Sequence, residues 1–138
     1  MIRVRKVVFN DCKACRKLSN TKELLTSAGT VVPASWFRAF VKGKGIFLVA
    51  EEGNIIGYVM GERVTGIVSL LWMMAVDKRN RGKGIGKALL AAFEKESKKR
   101  GGKVVVLYAP LFNPKTLKFY RKSGYLQGIK MAEFSKKL

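Results

Sequence analysis

The sequence predicts an α/β fold: a mixed, mostly antiparallel central sheet flanked by helices. Three observations carry that prediction. Short apolar and β-branched runs alternate with turn residues through the first half of the chain. From Ile85 to Arg100 the apolar period changes to a helical one. No linker, repeat or low-complexity stretch divides the 138 residues, and residues 1–138 suit one domain at the usual size of roughly 100–200 residues.

Val4 to Phe9 reads as a short strand. Asp11 is a good N-cap residue for a helix that carries Cys12, Cys15 and Leu18 on one face. Asn20-Thr21-Lys22-Glu23 has capping-box spacing and restarts that helix. Pro33 suits the first turn of a second helix through Trp36, Phe37, Phe40 and Val41, ended by Gly43-Lys44-Gly45. Ile46–Ala50 and Ile55–Met60 are strands joined at Glu52-Gly53-Asn54. Thr65-Gly66 turns into Ile67–Val76, whose continuous apolarity predicts a strand buried on both faces. In the long helix Ile85, Leu89, Ala92 and Phe93 share a face, and Glu94/Lys98 and Glu96/Arg100 are favourable pairs four residues apart. Gly101-Gly102 ends it. Val104–Tyr108 is a strand, Pro114–Lys122 a helix, and Gly124 onward a terminal strand region. Successive hairpins followed by a helical crossover put helices on the faces of a mixed sheet.

Composition narrows the chemistry. There are 28 Lys and Arg against 9 Asp and Glu, a net charge of +19, and no histidine. A histidine general base and a Ser-His-Asp triad are therefore excluded, and two cysteines cannot make a four-ligand Cys/His zinc site, so no metal is expected. The charge favours phosphates, anionic membranes or acidic proteins as partners. The longest apolar run, Ile67–Val76, is far short of the roughly 20 residues that span a bilayer, and the basic start lacks a signal-peptide core. A cytoplasmic protein with no membrane partner is expected.

The most informative stretch is Asp77-Lys78-Arg79-Asn80-Arg81-Gly82-Lys83-Gly84-Ile85-Gly86-Lys87, between the most apolar strand and the longest helix. Glycines at alternate positions let the backbone approach a ligand closely. Their amides stand at a helix N-terminus, which favours anions, and Lys78, Arg79, Arg81, Lys83 and Lys87 add charge. A phosphate or pyrophosphate is the expected ligand. The spacing fits neither standard phosphate loop. Only three residues separate Gly82 from Gly86 and Ala88 follows Lys87, against a Walker loop; Lys87 stands where a dinucleotide fingerprint needs glycine.

Arg81-x-x-Gly84-x-Gly86 directly after Ala75-Val76-Asp77 resembles motif A of the GNAT superfamily of acetyl-CoA-dependent N-acetyltransferases. Asn113 and the run Phe119-Tyr120-Arg121-Lys122-Ser123-Gly124-Tyr125 resemble that family's motif B. The resemblance implies the GNAT-like acyl-CoA acyltransferase fold, acetyl-CoA as co-substrate and a primary amine as acceptor. It implies that the backbone of Met74, Ala75 and Val76 pairs with pantetheine. By the same resemblance Arg81, Gly82, Lys83, Gly84, Ile85, Gly86 and Lys87 cradle the pyrophosphate, Asn113 contacts pantetheine and Tyr120 protonates the departing thiolate. Trp36, Phe37 and Phe40 are the acceptor wall by the same analogy.

The strand Ile67–Met74 lacks the acid that many family members use as general base. Glu62 is the best remaining carboxylate, ahead of Glu51 and Glu52, with a water-mediated base or no dedicated base also open. A site with a weak base suits a low-pKa amine such as a protein N-terminus, since an amine of pKa about 8 is roughly one-tenth neutral at pH 7 and a lysine roughly one part in 2,500. The expected partners are thus a small-molecule acyl donor and an amine acceptor, acidic or nucleic-acid-associated, on a monomer or homodimer. Two rival readings come from other classes. One is a basic nucleic-acid- or ribosome-binding module without catalysis, supported by charge but lacking paired stacking aromatics. The other is thiol redox at Cys12-x-x-Cys15, where a helix start lowers thiol pKa.

Overall fold

A computed structural model describes residues 1–138. Five strands, β1 (Arg3–Lys6), β2 (Ile46–Glu52), β3 (Asn54–Thr65), β4 (Val68–Val76) and β5 (Val104–Leu107), lie in sequence order across one sheet. The first three pairings are antiparallel and β4/β5 is parallel, which makes the sheet mixed and mostly antiparallel as the sequence predicts. Helices α1 (Cys12–Leu18) and α2 (Ala34–Lys42) cover one face, and α3 (Ile85–Lys99) covers the other with α4 (Pro114–Lys122) beside it.

Two apolar cores follow. Val49, Tyr58, Met60, Met73 and Ala75 meet Cys15 and Phe37 under α1 and α2. Ile46, Ala50, Val59 and Leu71 meet Ile85, Leu89, Leu90 and Phe93 under α3. Leu71 and Met73 belong to opposite cores although they are two apart in one strand. The reason is a bulge: Met60 pairs with Met73 and Gly61 with Leu71, so Trp72 has no partner and the side-chain alternation resets there. Both faces of β4 are nonetheless covered, Met73 and Ala75 in one core and Met74 and Val76 against the other, so the expected two-faced burial holds except at Trp72. Trp72 itself is half-exposed.

Other local expectations are corrected by competing bonds. β1 stops at Lys6 and does not reach Phe9, because the Asp11 carboxylate accepts from the Val8 amide at 2.8 Å and from the Arg5 guanidinium at 2.8 Å. Asp11 is thereby engaged away from α1, and no side chain caps that helix. The capping box at residues 20–23 forms only a single 3-10 turn, Lys22–Leu24, because Glu23 points to α4. Of the two pairs expected on α3, Glu96 does meet Arg100 at 3.0 Å, whereas Glu94 accepts from the Tyr125 hydroxyl at 2.7 Å. No strand follows α4. β5 is four residues long, and Leu126, Ile129 and Phe134 remain exposed. No helix is long and apolar enough to cross a membrane.

Candidate functional site

The glycine-rich bend connects β4 to α3 and is built around Asp77. Its amide donates to the Ile56 carbonyl at 2.8 Å, and its carboxylate accepts from Asn80 Nδ2 at 3.3 Å and from the Arg79 amide at 3.4 Å. Arg81 Nε donates to the Val76 carbonyl at 3.2 Å, folding the bend back onto the strand end. Gly82 (φ 77°) and Gly84 (φ 81°) are left-handed, a conformation that costs other residues strain. Ile85, buried under the sheet, anchors the start of α3.

The consequence is an array of free donors. No main-chain amide from Arg81 through Lys87 meets an acceptor of the chain; the first helical bond runs from the Ala88 amide to the Gly84 carbonyl at 3.0 Å. Around these amides stand the exposed cations Lys78, Arg79, Arg81, Lys83 and Lys87, of which only Arg79 approaches a carboxylate, at 3.9 Å. Free amides, a helix N-terminus and unpaired cations reinforce one another as an anion site.

Next to the bend the sheet opens. β5 pairs with β4 only from Val68 to Leu71. Met74, Ala75 and Val76 pair with Val59, Tyr58 and Gly57 of β3, and no strand lies on their other side. That unpaired edge can take hydrogen bonds from an extended ligand.

α4 flanks the opening. Asn113 caps it, Oδ1 accepting from the Thr116 amide at 3.3 Å. Asn113 Nδ2 also donates to Glu23, whose second carboxylate oxygen accepts from the Thr116 hydroxyl at 3.3 Å. Glu23 belongs to the segment between α1 and α2, so this bridge joins elements from the two faces of the sheet. Tyr120 packs on Phe119 and Tyr125, and its hydroxyl has no hydrogen-bond partner in the chain yet is not enclosed. Burial, with the Glu23 charge as a second cause, pushes the Tyr120 phenol up to about 12. Sequence reasoning missed Glu23. Its partner lies 90 positions away, and only the capping-box spacing drew notice to it.

Glu62 lies on the other side, where its carboxylate accepts from the Trp72 indole at 2.8 Å. Trp72 in turn stands edge-on to Trp36, which does the same to Phe40. Trp36 also lines an open hollow of about 550 Å³ with Thr26, Val32, Pro33, Ser35 and Ala39. Phe37, wholly buried against Phe47 and Tyr58, is core and not an acceptor wall. Glu51 is held by Arg5 at 2.9 Å and Glu52 by the N-terminus at 3.3 Å, both on the β1/β2 side of the sheet. Cys12 and Cys15 are buried free thiols whose pKa burial pushes up, the opposite of what thiol redox chemistry needs.

Comparison with known proteins agrees with this geometry. Residues 43–127 match the acetyltransferase (GNAT) domain family. Over 90 residues the chain is 32% identical to an uncharacterised N-acetyltransferase of Methanocaldococcus jannaschii, covering 65% of this chain and 38% of that protein. The chain spans less than half the length of the curated relatives it matches. Among solved structures, Ard1 from Thermoplasma volcanium superposes with a TM-score of 0.81 at 21% identity, covering 93% of this chain and 84% of that one. The ribosomal-protein-S18-alanine N-acetyltransferase of Escherichia coli gives 0.78 at 18% identity, covering 94% and 80%. With the family match extending over more than half its length, from the end of α2 past the bend and α4, this chain belongs to the GNAT acetyltransferase family.

Proposed function

We propose that residues 1–138 act as one domain that transfers the acetyl group of acetyl-CoA to a primary amine by direct attack in a ternary complex. One observation carries the reading: seven successive unpaired amides, Arg81 to Lys87, at the end of a strand whose edge is open. A diphosphate needs several donors in a small volume within a positive field, and the bend offers both. Met74, Ala75 and Val76 then hold the amide-bearing arm of the substrate as an added strand would be held. Asn113 reaches the same arm by exchanging its bond to Glu23.

The reaction needs a neutral amine, a donor to the oxygen that gains charge and a proton for the departing sulfur. The unpaired β4 edge provides amides for the oxygen. Tyr120 provides the proton, and burial keeps its hydroxyl protonated at working pH. Glu62 receives the proton of the amine. Because it is singly anchored and partly exposed beside Trp72, it is best matched to an amine that is already partly neutral, such as a protein N-terminus.

Calorimetric titration tests this directly. Acetyl-CoA and desulfo-CoA are expected to bind alike and adenosine far more weakly. Tyr120→Phe should lower turnover about 100-fold while leaving the acetyl-CoA Kd unchanged. A chain indifferent to acetyl-CoA, or one that prefers a lysine side chain to a peptide α-amine, overturns the donor or the acceptor assignment respectively.

A further inference from the structure

The charge of this chain is distributed unevenly between paired and unpaired groups. All nine carboxylates have partners within the chain: Asp11 and Glu51 with Arg5, Glu52 with the N-terminus, Glu23 with Asn113, Glu62 with Trp72, Asp77 with Asn80, Glu94 with Tyr125, Glu96 with Arg100 and Glu133 with Ser27. Only Arg3, Arg5, Arg79 and Arg100 among the 28 basic side chains stand in side-chain ion pairs. Most of the basic side chains are therefore without an acidic partner in the chain.

On one face it lines a groove. Between α3 and the β1/β2 side of the sheet is a hollow of about 410 Å³ with Val4, Leu48 and Ala92 in its lining. Arg5 and Glu96 also border it, but both are spent on the ion pairs just described. Lys6, Lys95 and Lys99 are left as its free charges. Lys98 extends the row, and every exposed position of α3 is a lysine or an alanine.

We propose that this groove docks the phosphate backbone of a double-stranded nucleic acid. The free charges that can recognise an occupant are lysines, since Arg5 and Glu96 are already paired and the rest of the lining is the small apolar floor of Val4, Leu48 and Ala92. A membrane surface holds a basic helix by large apolar side chains, and the outer face of α3 has none beyond alanine. An acidic protein needs aromatic or arginine anchors, which are missing among the free groups. Single strands are held by stacking on aromatic rings, and the groove has none. A duplex backbone is bound through lysine–phosphate contacts without reading its sequence. The groove borders the C-terminal half of α3, away from the unpaired amides at its N-terminus, so docking leaves the acetyl-donor site free.

The test uses the whole chain and a fluorescently labelled RNA duplex of about 20 base pairs, followed by anisotropy. With three to four phosphate contacts the affinity should fall roughly 40- to 150-fold between about 50 and 200 mM salt. Lys95→Glu/Lys99→Glu should reduce the salt slope by about 2. Lys13→Glu/Lys17→Glu, an equal change of charge on α1 across the sheet, should leave the slope as it was. Should the glutamates disturb folding by circular dichroism, Lys95→Gln/Lys99→Gln takes their place with the same expected direction. Equal loss in both pairs means bulk charge and overturns the groove. Tighter binding of the single strand, of polyglutamate or of phosphatidylserine vesicles overturns the duplex. Displacement by acetyl-CoA would place the contact at the bend and overturn the location.

Discussion

The two ends of β4 have similar composition and different surroundings. From Val68 to Leu71 the strand has β3 on one side and β5 on the other, and Ser69 is sealed in by a hydroxyl bond donated by Ser97. From Trp72 to Val76 it keeps β3 and loses β5. Hydrophobicity does not distinguish them. The difference comes from two local features: the bulge at Trp72, and the end of β5 at Leu107, soon followed by Pro110, which has no amide to donate. One end therefore carries stability and the other keeps free backbone groups for a ligand.

The largest expected effect would break the closed end. Gly61 pairs with Leu71, and a Cβ there would run into the Leu70 carbonyl and stand 2.6 Å from the Phe93 ring, both rigidly held. Gly61→Ala should cost about 3 kcal/mol, lowering Tm by roughly 10 °C. Its acetyl-CoA Kd, measured well below that Tm, should stay unchanged.

Gly84→Ala inverts the pattern. Nothing lies within 4 Å of a Cβ at Gly84, so packing is no obstacle, but its φ of 81° is. The strain is worth about 1–2 kcal/mol, and the bend relieves it by turning its amides. Acetyl-CoA should bind about tenfold more weakly for a Tm loss of only a few degrees. Equal losses of stability and binding in both variants would mean that the two ends are one unit.

The same contrast explains what could be read from the residues alone. Hairpin turns at Gly53 and Gly66 and the stop at Gly101 were legible because each forces a left-handed φ that few other residues accept. The cradle was legible because it is contiguous, with its glycines and cations falling within eleven residues. The bulge was not, since an unbroken apolar run looks the same whether its side-chain alternation is continuous or resets at Trp72. Asp11 and Glu23 misled for another reason. Their local spacing fits helix caps, but partners outside those helices, Arg5 across the turn and Asn113 at the cap of α4, offered them charged or doubled bonds. The region after Gly124 has strand-like residues but faces a β5 edge of only four residues, too short to reward pairing.

Glu62 gives the smallest effect and the sharpest reading of the open end. Glutamine keeps an oxygen for the Trp72 indole, so Glu62→Gln removes basicity and leaves the packing in place. For a peptide α-amine of pKa about 8, loss of a proton acceptor matters while most of the amine is charged and ceases to matter once it is neutral. Turnover should therefore fall less than tenfold at pH 7 and converge with the unaltered protein near pH 9. Tyr120, pushed up to about 12, loses its proton only at higher pH, so neither profile should descend below about pH 11. A deficit that persists at pH 9 would assign Glu62 to holding the acceptor through Trp72 and Trp36. A descending limb near pH 10 would mean that the Tyr120 hydroxyl is solvated in the working enzyme and that the open end of β4 admits water beside the leaving sulfur.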